Sequence, residues 1–565
     1  MKAKWWNSRC GTAGRTSASK TVRSAATSCF MVGLLSASAL ATAAAAAAPD
    51  TIFYGGKVLT VDSAFTVRQA FAIRGGAFVA VGTNANVRRL AGPHTQSIDL
   101  KGSTVIPGLT DSHDHLLAIG RTRLGMDLVP FTSKEEIVAH LAERLKSARP
   151  DEVISGSIRW RVAITKQDID GLSSTNPIVL FRMRRGDALM NSVALQKVGI
   201  NREHPGFMGL AAPVDAAGEP TGEMPPSPAG LYATALLLPL TSADEEQIVL
   251  RGQRQRNALG ITSIRDLANQ PAWVSMYEHA REKGLLTVRV DVAISTPGWL
   301  DEPAIAARAP ATTHKTGDEW LRIDMIGEAP EPGKDNAERW TAYARAVNRL
   351  GWRMAPHVPP DGIETTLKAF EAANADSSIR EKRWVVEHVN DIVPDQMDRF
   401  AKLGVIVSTQ AYVSPFRALK PEEAARWWPV RELVAHGLTV ISGSDTLGDA
   451  GVGVFPSNNP FLAMYCYVTG RQQDGQLAPQ ETVSRADALR FATINGAHAM
   501  FNDAFTGSIE PGKLADFVVL SADYLTVPDD EIPNIKAMAT YVGGKRVFTR
   551  ARSEISLNPG GPYDQ

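Results

Sequence analysis

Val105-Ile-Pro-Gly-Leu-Thr-Asp111-Ser-His113-Asp-His115 is the stretch on which the reading of this chain turns. A short apolar run breaks at Pro-Gly and ends in polar residues, as a buried strand does where it reaches the edge of a sheet. Positions i and i+2 of a strand share a face, so His113 and His115 aim at one point. Two imidazoles converging at a strand end supply half of a zinc-type site.

Seven further runs of the same kind follow: GITSIRDL (260–267), LLTVRVDVAI (285–294), LRIDMIGE (321–328), GWRMAPHV (351–358), RWVVEHV (383–389), GVIVSTQ (404–410) and LTVISGSD (438–445). Helical stretches separate most of them, one of which, 242–259, opens on the capping-box pattern Ser242-Ala-Asp-Glu245. Eight strand–helix units are the count of a closed (β/α)8 TIM barrel, whose strand ends open on one face. His357, His388 and Asp445 stand at the ends of the fifth, sixth and eighth runs, so they are expected to surround one cavity with His113 and His115. The other histidines (94, 140, 204, 279, 314, 436 and 498) fall in helices or loops and read as surface or packing residues.

The barrel is expected over 109–505. The gap between the first and second strands is too long for one unit, so residues 120–240, rich in Arg, Gly and Pro, are predicted to be an insertion covering the mouth. Short β-rich runs broken by Gly-Gly fill 49–108, and the same style returns over 506–555. They predict a small β-sandwich built from both ends of the chain, followed by a loose polar tail, 556–565.

Length and composition agree with an ordinary globular protein: 565 residues, 44% hydrophobic and 21% charged. The 60 basic and 60 acidic residues cancel, which argues against a nucleic-acid partner. The balance is uneven along the chain. Residues 1–48 hold six basic residues and no acidic one, which leaves a net charge of −6 for the remainder. Arg23 is followed by SAATSCFMVGLLSASALATAAAAAAP, an apolar run ending in small residues, which reads as a secretory signal peptide cleaved near Ala46–Ala48. The expectation is an exported protein, periplasmic or secreted, with no stable membrane anchor after cleavage; an uncleaved anchor is the alternative. Cys10 and Cys29 leave with that segment, so Cys466 stays as a packed thiol and no internal disulfide forms.

DSHDH after VIPGL, LGITSIRD (259–266), WVVEHV (384–389), SGSDT (442–446), NNPFLAMY (458–465), ALRFATINGAHAM (488–500) and GSIEPGKLADFVVL (507–520) together resemble the metal-dependent amidohydrolase superfamily. The likeness covers about residues 50 to 550 and is nearest to the amidohydrolase family 3 group, which includes N-substituted formamide deformylases. It implies a divalent metal, zinc, at one or two ions per chain. One ion is implied for His113, His115 and Asp445, the other for His357 and His388, with Asp445 as the catalytic acid–base. Relatives bridge the ions with a residue at the end of strand 4, where this chain reads Ile326-Gly327-Glu328. Glu328 is the candidate, but it lies one position out of register, and period 2 aims it at the other face unless the strand is bulged. His357-Val-Pro-Pro-Asp361 and Arg184-Arg185-Gly-Asp187 are further departures from the pattern.

The implied reaction is attack of metal-activated water on an amide or related C–N bond of a small molecule. Two alternatives stay open. One is a mononuclear enzyme of the same fold with another chemistry, namely ester or cyclic amide hydrolysis, deamination or decarboxylation. The other is an inactive exported binding or regulatory protein. Arg184, Asp266, Gln410 and Thr446 are candidate substrate contacts; Arg182 and Arg185 are candidates to clamp a carboxylate, and Trp160, Trp427 and Trp428 to line a pocket. Asp111 is expected to cap or orient its loop. Homo-oligomerisation is left open.

Overall fold

The computed structural model describes residues 47–551 except 123–124, 160–161, 184–186, 208–209, 225–239, 270, 296–302, 304, 306–316, 329, 411–425, 428, 447–457 and 472–480. The signal segment, the tail, Arg184, Arg185, Trp160 and Trp428 therefore lie outside the described residues.

All eight expected runs contain strands: β1 (Leu109–Asp114), β2 (Ile261–Asn269), β3 (Arg289–Ile294), β4 (Leu321–Glu328), β5 (Arg353–Pro356), β6 (Val385–Val386), β7 (Ile406–Thr409) and β8 (Thr439–Ser442). β1 to β5 form one parallel sheet and β6 to β8 another. The sheets meet at both edges through isolated parallel bridges, His357 to Glu387 and Asp114 to Thr446. Hydrogen-bonded neighbours thus follow one another from β1 to β8 and back to β1. Leu267, Ala293, Met325, Ala355, Val385, Ile406 and Ile441, one from each of β2 to β8, pack into a single apolar cluster with Ala499. That is the inward layer expected of a ring of alternating strands.

The opening motif is shared between two sheets. Thr104–Pro107 pairs with Phe517–Leu520, while β1 begins at Leu109. Gly108 makes the switch: a Cβ there would lie 2.1 Å from the Thr262 hydroxyl. The chain ends supply a four-stranded and a six-stranded sheet, and Phe53, Phe71, Phe78, Phe517 and Tyr541 from both share one apolar cluster. The insertion is itself an α/β layer. Ile154–Arg159 and Ile178–Met183 are parallel neighbours in a five-stranded sheet, with separate apolar clusters around it. The helix Ser242–Ala258 is capped one residue earlier than its sequence suggests, by Thr241, with Asp244 closing the box. No described helix is long and apolar enough to cross a membrane, and Cys466 is a buried thiol in no disulfide among the described residues.

Arg289, the first residue of β3, ties the ring to the terminal sheet. Its Nε lies 2.6 Å from one oxygen of Asp516 and its Nη2 3.0 Å from the other, with both side chains almost fully buried. Removing one member of such a pair strands a charge in the interior. Asp516→Asn is therefore expected to lower unfolding stability by about 3–5 kcal/mol in a urea titration. A loss below about 1 kcal/mol, the range of an exposed pair, would contradict the clamp.

Candidate functional site

Six side chains from β1, β4, β5, β6 and β8 and their C-terminal ends converge. His113 Nε2 lies 3.1 Å from Glu328 Oε1 and 3.4 Å from Asp445 Oδ1. His115 Nε2 lies 3.1 Å from the same Asp445 oxygen. Glu328 is also 3.6 Å from His357 Nδ1 and 3.6 Å from His388 Nε2. Ring centroids are 4.5 Å apart for His113 and His388, and 4.3 Å for His357 and His388.

Period 2 brings the first of these inward. His113 and His115 share a face of β1, and His357 continues the inward series Arg353, Ala355. Glu328, His388 and Asp445 instead have φ of 63°, 58° and 48°, left-handed values that non-glycine residues seldom adopt. At Glu328 this turn resolves the register conflict: the strand keeps its pairing through Glu328–Pro356, and the backbone twists the carboxylate to the histidines. Such outliers persist where the surroundings over-determine them.

Strand 8 is clasped to β1. The amides of Ser444 and Asp445 both donate to the His113 carbonyl, at 3.1 and 2.7 Å. Gly443 permits this approach, since a Cβ there would lie 2.4 Å from His113 Cβ. Asp111 Oδ1 accepts from the amides of Ser444, at 2.8 Å, and His113, at 3.3 Å, so it orients the loop as expected.

The charges are mutually dependent. Burial opposes ionisation of Asp445, but His113, His115 and His388 outweigh it and hold the carboxyl far below its usual range. Glu328 is likewise buried yet held well below its usual value by His113, His357 and His388. In return, Asp445, Glu387 and Glu328 overcome the burial of His113 and push its imidazole well above its usual value.

The donor set suits a divalent cation. Two groups, His113–His388–Asp445 and Glu328–His357–His388, each bring one donor atom per residue within 4.8 Å of one another. His113 Nε2, His388 Nε2 and Glu328 Oε1 are buried without hydrogen bonds of proper geometry, although they face one another. The remaining nitrogens of the first pair are engaged, His113 Nδ1 by Glu387 at 2.9 Å and His115 Nδ1 by the Leu267 carbonyl at 3.0 Å. Both Nε2 atoms are thereby left for the centre.

Comparison with known proteins gives the family. Residues 96–548 match the model of the amidohydrolase family. The chain belongs to that family. Its likeness to the family 3 group is carried by an N-substituted formamide deformylase of Arthrobacter pascens, 25% identical over 89% of this chain and 99% of that protein. Protein LONG AFTER FAR-RED 3 of Arabidopsis thaliana is also 25% identical, over 88% of this chain and 91% of its own. Among solved structures, an uncharacterized metal-dependent hydrolase from Pyrococcus furiosus superposes with a TM-score of 0.65 at 21% identity, covering 84% of this chain and 100% of its own. That likeness is one of fold.

Three of the candidate substrate contacts fall among the described residues. Asp266 alternates with the inward Leu267, so it points out of the ring and bonds to the Tyr277 hydroxyl of the helix Pro271–Glu282; it is 1% exposed. Thr446 is fully buried at the β1–β8 seam. Gln410 is buried and donates to Ser408 Oγ at 3.2 Å. All three are buried in this structure. Arg182 is no free clamp either: it is buried against Asp187 and Glu223 within the insertion. Conversely, sequence reading missed Glu387 and Arg265. Their signal was their phase, since each sits two residues from an inward apolar residue, Val385 and Leu267.

Asp111→Ala removes the side-chain acceptor of the His113 amide and one of the two acceptors of the Ser444 amide. A stability loss of about 1–3 kcal/mol is expected in thermal unfolding of the metal-free protein; an unchanged midpoint would contradict the clasp.

Proposed function

We propose that this protein is a metal-dependent hydrolase that uses an activated water to cleave an amide or related C–N bond of a small molecule. The observation that carries the reading is the convergence of four imidazoles and two carboxylates at one end of eight parallel strands. In this reading the five- and three-stranded sheets act as one (β/α)8 barrel over about 109–505, and the terminal sheets form a β-sandwich domain. Catalysis at the C-terminal strand ends is the general habit of such barrels. The basic and apolar segment before Asp50 supports export to the periplasm or beyond.

His113, His115, His357, His388, Asp445 and Glu328 would hold one or two divalent ions, and the nitrogen and oxygen donors suit zinc. Such an ion, when bound, lowers the pKa of bound water towards neutrality and polarises a carbonyl. Asp445 moves the proton. Held ionised by its histidines, it takes the proton of the attacking water and returns it to the departing amine. Glu328 lies within reach of three of the imidazoles, which supports the reading that it would serve as a ligand from the end of strand 4. His357 is the most open of the six, with 35% of its side chain exposed, which favours substrate entry on its side. The deformylase relative directs the first substrate class to N-formyl and N-acyl amines.

The test is a panel of N-formyl and N-acyl amines against the zinc-loaded wild type and Asp445→Asn. The variant is expected to lose roughly 10²–10⁴-fold in kcat, the contribution of a positioned acid–base group. Equal turnover by both would overturn the role of Asp445.

Metal uptake also has a direction in pH. His113 must be neutral to bind an ion, yet the neighbouring carboxylates raise its pKa in the metal-free protein. Affinity is therefore expected to rise with pH through neutrality, by roughly tenfold per unit for each proton displaced. Calorimetry in buffers of different ionisation enthalpy should show proton release; a pH-independent affinity would contradict the coupling.

A further inference from the structure

We propose that Glu387 is a positioning residue for His113, locking the imidazole as the Nδ1-protonated tautomer so that its Nε2 lone pair faces the metal, with Arg265 and Ser408 holding Glu387 for this task. The inference rests on the metal-centred reading above and deepens it.

The geometry is that of a closed inner layer. Glu387 Oε2 accepts from His113 Nδ1 at 2.9 Å, and neither side chain has any exposure. The other carboxylate oxygen pairs with Arg265 Nη2 at 3.0 Å, again with both side chains fully buried. Arg265 Nη1 donates to the carbonyl of Ser112, at 2.8 Å, and so grips the residue next to His113 as well. The Ser408 side chain lies beside Glu387. Because Gln410 Nε2 donates to Ser408 Oγ, the hydroxyl's own proton is free to be donated onward to the carboxylate. Gln410, Ser408, Arg265 and Glu387 thus form a network reaching one nitrogen of one ligand, from strands or strand ends on different parts of the ring.

A buried ion pair gives little net stability, because desolvation offsets the attraction, and apolar residues of similar volume often serve as well. The orientation of the pair points to a second use. A carboxylate on the far nitrogen of a metal-binding imidazole fixes the tautomer and raises the basicity of the ligand. His115 offers an internal contrast, since its Nδ1 faces the neutral carbonyl of Leu267 at 3.0 Å. Both rings turn Nε2 towards Asp445, but only His113 carries the charged support.

The test is competition of zinc and of Co²⁺ against a chromophoric chelator, using full-length wild type, Glu387→Gln and the double variant Arg265→Met/Glu387→Gln, with thermal unfolding of each metal-free form. Glu387→Gln alone leaves Arg265 without its anion and is expected to lower the melting midpoint. The double variant removes that charge and recovers the midpoint, but zinc affinity is expected to stay about 10–100-fold below wild type in both. The visible spectrum of the Co²⁺ form should shift as the ligand field at His113 weakens. Wild-type affinity and an unchanged Co²⁺ spectrum in the double variant would overturn the proposal and leave Glu387 a purely structural residue. A wild type that binds neither ion would overturn the metal-centred reading itself, so the two failures are distinguishable.

Discussion

Carboxylates and imidazoles removed from water must find compensation, and this constraint organises the functional end of the molecule. Asp445 and Glu328 are ionised only because histidines surround them, and His113 draws its charge from the same carboxylates. The arrangement suits a cation, which would replace the shared protons as the neutralising charge. Parallel strands supply the setting, because all their C-terminal ends face the same way. The price of convergence is local backbone strain at Glu328, His388 and Asp445, held by strand pairing below and by the clasp between β1 and β8.

Below the donors, the interior of the ring is layered. Glu387, Arg265 and Ser408 form a charged and hydroxylic support. The apolar set from Leu267 to Ile441 follows. At the opposite end Arg353 bridges Asp291, at 3.1 Å, and Asp324, at 3.0 Å, all three fully buried or nearly so. There burial and the neighbouring Asp324 push Asp291 up to about 7, despite Arg353. The ring therefore carries buried charge at both ends around an apolar middle. The same device recurs outside the ring, where Arg289 and Asp516 join it to the terminal sheet.

What could be read from the sequence was what apolar runs and period 2 control. The eight strands follow from short apolar runs, and the inward pair His113 and His115 follows from alternation. Glu328 does not, because its inward turn depends on a left-handed backbone that no propensity announces. Nearness to a strand end, on which Asp266 and Thr446 rest as candidates, likewise says nothing of which face a side chain takes. Glu387 and Arg265 are marked only by their phase, two residues from the inward Val385 and Leu267. The insertion hid its sheet behind Arg, Gly and Pro, which a fold of many short elements uses in its turns.

The most direct test is a crystal structure of the protein grown with zinc, with anomalous diffraction recorded on both sides of the zinc edge. One or two anomalous peaks are expected among His113, His115, His357, His388, Glu328 and Asp445, at about 2.0–2.2 Å from their nitrogen and oxygen donors. No peak there, or peaks only elsewhere on the protein, would contradict the assignment of this cluster as a metal centre.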